Sequence, residues 1–228
     1  MDVAALQRRL QVLGLSTGVD DGIYGPKTRA AVLEALSVGN DNKLSDLDIE
    51  AAAVQLQVTP AHIKAVWVVE AAGAGFVGGL PKILFEPHRF SKATRGRFDR
   101  DYPQISYPQW DKSRYPKSQG GRYDQLLTAI GLDADAGFAS ASYGAFQILG
   151  ENYAICGYPS PWAFALAQSQ SEGDQLEAFL NFVQRVGLVG ALRKCDWEVF
   201  ARGYNGTAYR QNRYHERLAE AYVKAGGK

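Results

Sequence analysis

Cysteine and histidine are scarce in this chain. Cys156 and Cys195 are the only cysteines among 228 residues, which excludes a disulfide-dense scaffold, although one bridge between them stays open. The three histidines, His62, His88 and His215, form no His-Glu-x-x-His motif and no close Cys/His pairing. The sequence therefore does not support a zinc enzyme, and we expect neither a metal ion nor an organic cofactor.

An excess of charge and a long apolar run are also missing. The 25 Lys and Arg residues balance 24 Asp and Glu to a net charge of +1, so nucleic acid is not an expected partner. No apolar run reaches the ~18 residues of a membrane span. Residues 1–8 lack the basic and then apolar pattern of a signal peptide. We expect a soluble, monomeric protein that starts in the cytoplasm and does not insert stably into membranes.

What is present is enough apolar sequence for a packed core, at 46% of the residues. The length fits one mid-sized domain with a small one, or a single large domain. Basic residues are concentrated locally, with nine Lys and Arg against three Asp between Arg89 and Arg122. That stretch favours an anionic polymer as partner or is simply a solvated loop face, and both interpretations stay open.

The first 39 residues are predicted to form a small helical unit. A stripe of Val3, Leu6, Leu10 and Leu13 indicates one helix, and Gly25-Pro26 opens a second that runs to about Leu36. Residues 40–44 are predicted to be a linker, with a larger domain over 45–228. Two helices bury little apolar surface, so this unit either leans on the larger domain or is an attached module.

A motif in this unit has the spacing Asp-Gly-x-aromatic-Gly-x-x-Thr. It consists of Asp21, Gly22, Tyr24, Gly25 and Thr28, and it resembles the peptidoglycan-binding type 1 domain, although the Phe-Gln that usually follows is absent. The resemblance implies that these five residues form an element that binds the bacterial wall. A merely structural N-terminal hairpin is the alternative.

The larger part is predicted to be mainly helical. Ser45-Asp46-Leu47-Asp48 resembles a capping box, and Thr59-Pro60 opens another helix. The segment from Phe90 to Tyr123 is polar, aromatic and rich in Pro and Gly, which indicates loop or a short hairpin. Three further apolar stripes, around Leu176, Trp197 and Tyr214, predict helices near the C-terminus.

Glu70 is the first candidate for catalysis. It continues the apolar stripe of Ile63, Val66 and Trp67, and Gly73 is expected to end the helix just beyond it. Burial penalises a charged carboxylate and raises its pKa, which suits a general acid. A structural ion pair at a domain seam is the alternative interpretation.

Two further segments carry polar side chains that suit a sugar ligand. Ser142 and Gln147 flank the flexible Gly144, and Tyr204-Asn205-Gly206 is expected to end a helix. Taken alone, both segments are more typical of the ordinary start and end of a helix. In this order, however, the three segments resemble the lysozyme-like superfamily of goose-type lysozymes and lytic transglycosylases.

A closer match extends over residues 44–224. Val69-Glu70-Ala71, the run from Pro81 to Phe90, and the run from Ser142 to Tyr153 resemble the N-acetylmuramidase domain of phage endolysins. The resemblance implies a lysozyme-like helical domain with a small loop or β-hairpin lobe. It also implies hydrolysis of the β-1,4 bond between N-acetylmuramic acid and N-acetylglucosamine, with Glu70 as the acid. Such a protein waits in the host cytoplasm until a partner holin opens the membrane.

The resemblance also assigns roles to other residues. Glu86 is the preferred second carboxylate, with a structural ion pair to His88 and Arg89 as the alternative. Substrate contacts are expected from Ser142, Gln147, Tyr204 and Asn205, and Trp110 or Tyr107 is expected to stack on a sugar face.

Three other functions are alternatives to muramidase activity. A lytic transglycosylase would give anhydro products, but such enzymes commonly have Ser where this chain has Ala71. A cysteine peptidase would need Cys156 with His215, yet the apolar neighbours of Cys156 favour a buried, inert thiol. A non-catalytic wall-binding protein has no need to place an acid on an apolar helix face.

Overall fold

The structure is a computed structural model that describes residues 1–37, 43–71, 74–206 and 209–228. Within those ranges it contains twelve α-helices and five short strands. The helices are α1 (Val3–Val12), α2 (Pro26–Leu36), α3 (Asp46–Leu56), α4 (Pro60–Ala71), α5 (Pro87–Ala93), α6 (Gln119–Leu132), α7 (Ala134–Ala139), α8 (Pro161–Gln168), α9 (Glu172–Arg185), α10 (Val189–Arg193), α11 (Trp197–Asn205) and α12 (Tyr214–Lys224). The strands are β1 (Phe76–Val77), β2 (Leu80–Pro81), β3 (Ile83–Phe85), β4 (Ala141–Tyr143) and β5 (Ile148–Leu149). The predicted mainly helical fold is confirmed.

Local sequence signals explain where several helices begin. Pro26 and Pro60 are the first residues of α2 and α4, where the missing N–H of proline costs no helical hydrogen bond. Ser45 and Asp48 form the reciprocal capping box predicted for α3. At α4 the backbone N–H of Thr59 donates to Nδ1 of His62 at 3.2 Å, which satisfies a donor that the helix itself leaves free.

The strands surround the ends of the central helices. β1 and β2 form a two-stranded antiparallel hairpin, and β3, β4 and β5 form a three-stranded antiparallel sheet. Between Phe90 and Tyr123 the chain has no strand: it leaves α5, runs through turns and a 3-10 helix at Lys112–Arg114, and enters α6. That segment is therefore loop, and the short hairpin lies before it at β1 and β2.

The core is built around α4. Ile63, Ala65 and Val66 are fully buried, and α12 and α3 pack along the helix. On the other side of the core, the Phe146 and Phe179 rings stack with centroids 4.7 Å apart. Burial of this apolar stripe fixes the position of α4 and hence of the residues at its C-terminal end.

The N-terminal unit packs against the larger part. Its buried Leu6, Leu10 and Leu36 belong to the same continuous apolar core as α4. Arg29 Nη2 lies 2.7 Å from Asp124 Oδ1, and a Cβ on Gly131 would lie 2.6 Å from the Tyr24 ring. The N-terminal unit therefore packs against α6. The predicted linker at 40–44 falls mostly outside the described residues, which resume at Lys43.

A membrane-spanning helix was not expected from the sequence. None of the helices in the described ranges is long and apolar enough to cross a membrane.

Candidate active site

Glu70 lies in the last turn of α4 and is partly buried. The stripe that carries it behaves as predicted, since Ile63 and Val66 are fully buried and Trp67 is partly buried. The helix is described as far as Ala71, and the predicted terminator Gly73 lies outside the described residues. Glu70 therefore sits in the last described turn of α4 and is not fully buried.

Burial raises the pKa of the Glu70 carboxyl from 4.5 to about 7. A hydrogen bond from Asn205 and the positive charge of Arg217 oppose this rise and lower the pKa. An acid with a pKa near neutrality stays largely protonated in mildly acidic to neutral solution and can donate its proton to a leaving oxygen. The electrostatics of Glu70 therefore match those of a general acid.

Asn205 is the direct polar partner of Glu70. It is the last residue of α11, and its Nδ2 donates to Glu70 Oε1 at 2.9 Å. Its other side-chain atom, Oδ1, is buried without a hydrogen-bond partner within the described ranges. The helix end predicted at this segment thus brings an amide to the carboxyl group of another helix.

Glu86 lies directly after β3, where it caps α5 without a side-chain hydrogen bond to the helix. The Tyr115 hydroxyl donates a short hydrogen bond to Glu86 Oε2. His88 Nδ1 lies 3.4 Å from the same oxygen but makes no hydrogen bond to it. Burial raises the pKa of Glu86, and the Tyr115 hydrogen bond and Arg89 lower it. Since burial and Arg89 also lower the pKa of His88, a strong ion pair between the two is not favoured.

The pKa of Tyr214 responds to the charges of both carboxyl groups. Tyr214 is the first residue of α12, and its pKa is raised chiefly by burial, then by the charge of Glu70 and further by that of Glu86. Electrostatic effects of this kind fall off with distance, which favours a position of both carboxyl groups on the same side of the molecule.

Gln147 and Ser142 are engaged within the protein. Gln147 Nε2 donates to the carbonyls of Gly144 at 2.8 Å and Lys82 at 3.1 Å. Ser142 Oγ lies 3.3 Å from both Gln147 Oε1 and the Leu84 carbonyl. These bonds tie the β4–β5 turn to β3. As substrate ligands both residues stay predictions, and the contacts that are present position the turn.

Tyr204 is likewise held in the core of the domain. Its hydroxyl donates to the Phe146 carbonyl at 2.7 Å, and its ring stacks on Phe200 with a centroid distance of 5.5 Å. Tyr204 therefore connects α11 to the β4–β5 turn. Since Asn205 follows it directly, the same contact places the amide that binds Glu70.

The two aromatic residues expected to stack on sugar differ in exposure. Trp110 is 49% exposed and lies close enough to the Tyr115 hydroxyl to lower its pKa. Tyr107 is only 6% exposed, and the Arg114 guanidinium covers its ring at 3.9 Å. Of these two residues, only Trp110 has an exposed aromatic face, and it lies next to Tyr115, the hydrogen-bond partner of Glu86.

The N-terminal motif is organised by Gln7. Its Nε2 lies 3.1 Å from Asp21 Oδ1 and 3.2 Å from Thr28 Oγ1, and its Oε1 accepts from the Gly22 N–H at 2.9 Å. Gly22 has a φ of +76°, which a glycine adopts without strain. The Gly25 N–H bonds to the Ile23 carbonyl at 2.9 Å. The motif residues shape the turn between α1 and α2, and their direct contact with the wall stays a prediction.

Sequence reasoning missed two buried polar residues of α9. Glu172 accepts from the backbone N–H of Leu44 at 3.0 Å and of Gly75 at 2.6 Å. Gln175 accepts from the Ala145 N–H at 2.7 Å and is completely buried. Together they hold the chain that follows α4 and the β4–β5 turn. The helix signal Ser171-Glu172 is visible in the sequence, but its distant backbone partners are not.

The two cysteines do not form a disulfide bond in the structure. Both Cys156 and Cys195 are free thiols. Cys156 is buried, and burial raises its pKa to about 12, so it stays protonated and unreactive at neutral pH. The arrangement does not favour a cysteine peptidase.

Comparisons with known proteins identify the family and the fold of this chain. The family model described as N-acetylmuramidase matches residues 59–226, and the peptidoglycan binding domain model matches residues 1–35. The crystal structure of the Burkholderia AP3 phage endolysin matches with a TM-score of 0.73 and 33% sequence identity, covering 98% of this chain and 94% of that chain. No curated protein matches the chain. The lysozyme-like fold expected from the sequence is confirmed.

Proposed function

This chain belongs to the N-acetylmuramidase family, and from this premise we propose that Glu70 is the general acid with which it hydrolyses peptidoglycan. The enzyme is a glycoside hydrolase of the lysozyme type, and the bond it cleaves is the β-1,4 bond after N-acetylmuramic acid. The observation that carries the assignment is the pKa of about 7 that burial imposes on Glu70. In the reaction, Glu70 protonates the glycosidic oxygen as the sugar develops positive charge.

Glu86 is the second carboxylate of this proposal. Its nearness to Tyr214, which Glu70 also influences, supports a position on the same cleft. A carboxylate there stabilises the developing positive charge of the oxocarbenium-like sugar. Burial raises the pKa of both carboxyl groups. At Glu86 the Tyr115 hydroxyl and Arg89 oppose that rise and favour the ionised form, so we assign the charge-stabilising role to Glu86 and the acid role to Glu70.

The remaining predicted residues support the substrate in this proposal. Asn205 has a buried Oδ1 free for an acetamido N–H or a hydroxyl, and Trp110 is exposed for stacking on a sugar ring. Ser142, Gln147 and Tyr204 hold the β4–β5 turn, so they shape the cleft through the backbone.

The biological role is that of an endolysin. The match to a phage endolysin over nearly the whole of both chains supports it. The proposal includes two units, 1–39 for binding peptidoglycan and 45–228 for catalysis. It also includes a monomeric protein that collects in the host cytoplasm and reaches the wall once a holin opens the membrane.

Mass spectrometry of the fragments released from purified peptidoglycan tests the activity, with Glu70→Gln as the comparison. We expect fragments that end in reducing muramic acid from the unmodified chain and none from the variant. Anhydromuramic ends would instead indicate a lytic transglycosylase. New peptide ends on intact glycan would overturn the glycosidase assignment.

A further inference from the structure

A groove of about 420 Å³ runs between α4 and α12, beside the helix end that carries Glu70. Its apolar lining consists of Trp67, Val68, Val69, Ala221 and Ala225. Its charged lining consists of Lys64, Arg217, Glu220 and Lys224. The volume is that of a small-molecule or short-peptide site, and the active-site residues described above do not account for it.

The groove begins at the active site. Arg217 donates to the Val69 carbonyl at 2.8 Å, and its charge also acts on Glu70. From Val69 to Lys64 the helix rises by about 7.5 Å, at about 1.5 Å per residue. Two or three residues of extended peptide cover that length, at roughly 3.3 Å each. A substituent that leaves the substrate near Glu70 can therefore lie along the groove.

The charges around the groove favour an anionic ligand. Lys64 is paired with Asp46 at 2.8 Å, whereas Lys224 has no ion pair in the described part of the chain. Arg217 adds a third cation at the end near Glu70. Glu220 is the single acid in the lining. It is therefore the one lining residue that would bind an ammonium group of the ligand.

Trp67 lines the groove with its indole ring. The Nε1 of that ring is buried and has no acceptor among the described residues, so the ring offers a ligand its apolar surface rather than a hydrogen bond. Val68, which also lines the groove, is 50% exposed, so an apolar group of the same ligand gains burial there.

We propose that this groove binds the stem peptide that branches from the muramic sugar of the substrate. The stem leaves the glycan beside the bond that Glu70 cleaves, so the inference rests on the proposed function. A stem peptide carries free carboxylates for the cations and alanine methyl groups for the apolar lining, which includes the Trp67 ring. Where its third residue is a diamino acid, a free ammonium group fits Glu220.

Kinetics on two substrates test this assignment. The substrates are soluble glycan strands with their stem peptides, and the same strands after an amidase has removed the stems. Lys224→Glu should raise the KM for stem-bearing strands by about fivefold and leave kcat unchanged, because it reverses one exposed charge of the groove. On stripped strands, Lys224→Glu and the unmodified chain should have the same KM.

Lys194→Glu is the matched control, since Lys194 is also an exposed lysine at a helix C-terminus and does not line the groove. It should leave both KM values unchanged. Equal effects of Lys224→Glu on both substrates, no effect on either, or the same effect from Lys194→Glu would each overturn the assignment. Failure of the proposed function would look different, because Glu70→Gln would then retain activity on both substrates.

A binding measurement complements the kinetics. The probe is a synthetic stem tetrapeptide, added to the full-length Glu70→Gln chain with 15N-labelled tryptophan. The indole N–H signal of Trp67, identified by its loss in Trp67→Phe, should shift during the titration. The signals of Trp162 and Trp197, which do not line the groove, should not move. An unmoved Trp67 signal at millimolar peptide would count against the groove.

Discussion

The Nδ2 amide of Asn205 donates a 2.9 Å hydrogen bond to Oε1 of Glu70. An amide nitrogen only donates, so Oε1 accepts this hydrogen bond, which favours Oε2 as the oxygen that carries the acid proton of a neutral Glu70. Asn205 therefore selects which oxygen of the carboxyl group is available to protonate the substrate. Because the same hydrogen bond lowers the pKa of Glu70, this contact also sets the upper pH limit at which the acid is still protonated.

Removal of the Asn205 amide should shift the pH dependence of the enzyme. In Asn205→Ala the hydrogen bond that lowers the pKa of Glu70 is lost, so the pKa should rise above its present value of about 7. A general acid loses activity as the pH rises through its pKa, and the alkaline limb of the kcat profile should therefore move to higher pH. We also expect kcat at its optimum to fall by about tenfold, because the carboxyl group is less well oriented.

The comparison variant is Arg202→Ala, an exposed position on the same helix, which should leave the profile unchanged. A shift of the alkaline limb to lower pH in Asn205→Ala would contradict this role of the amide.

Replacement of Glu70, the proposed catalytic acid, should stabilise the protein most above neutral pH. The pKa of Glu70 is about 7 in the folded protein, and 4.5 is the value for a glutamate exposed to solvent, as in the unfolded chain. The folded state therefore holds this proton between those values while the unfolded state releases it, and the free energy of unfolding decreases as the pH rises through this window. In Glu70→Gln this loss is absent. The variant should gain stability between pH 5 and pH 8, by at most about 3 kcal/mol.

Thermal unfolding of both proteins at pH 5 and at pH 8 measures this difference. The variant should be inactive at either pH. A Tm difference that stays constant between the two pH values would mean that Glu70 does not titrate in this window.

The hydroxyl of Tyr115 should matter through Glu86. Glu86→Gln removes the negative charge of the second carboxylate, and we expect kcat to fall by about 100-fold. Tyr115→Phe keeps the carboxyl group but removes its hydrogen bond, which should raise the pKa of Glu86 and move the acidic limb of the kcat profile to higher pH. Tyr102→Phe, in the same lobe and without a hydrogen bond to either carboxylate, should behave like the unmodified enzyme.

Full activity of Glu86→Gln would assign Glu86 to a structural ion pair instead. An unshifted acidic limb in Tyr115→Phe would remove only the role of the hydrogen bond.

Gln7 should determine the stability of the N-terminal unit. Gln7→Leu leaves the Gly22 N–H and the buried Thr28 hydroxyl without the partners they now have. Each orphaned group costs about 1–3 kcal/mol, so residues 1–37 should become sensitive to protease and binding to purified peptidoglycan should weaken. Arg9→Ala is the control, since Arg9 lies on the same helix and is exposed. Equal protease resistance of the two variants would contradict the role of Gln7.

The sequence by itself determined where several helices begin and which acid is the candidate for catalysis. Pro26, Pro60 and the Ser45 capping box specify where helices begin through contacts within a few residues, and the structure has these helices at the predicted positions. Glu70 could be recognised as a candidate from the sequence because the 3.6-residue period of a helix places it on the same face as Ile63. The resemblance to the muramidases relied on similar short runs of sequence.

The tertiary structure alone decided what the polar side chains bind. Asn205 reaches Glu70 across 135 positions of the chain, and Glu172 reaches Gly75 across 97. The pKa of Glu70 and the groove between α4 and α12 depend on the same packing of distant segments. Sequence periodicity encodes which face of a helix is buried, whereas the partner that meets this face is fixed by how all the helices pack together, and no local signal specifies that arrangement.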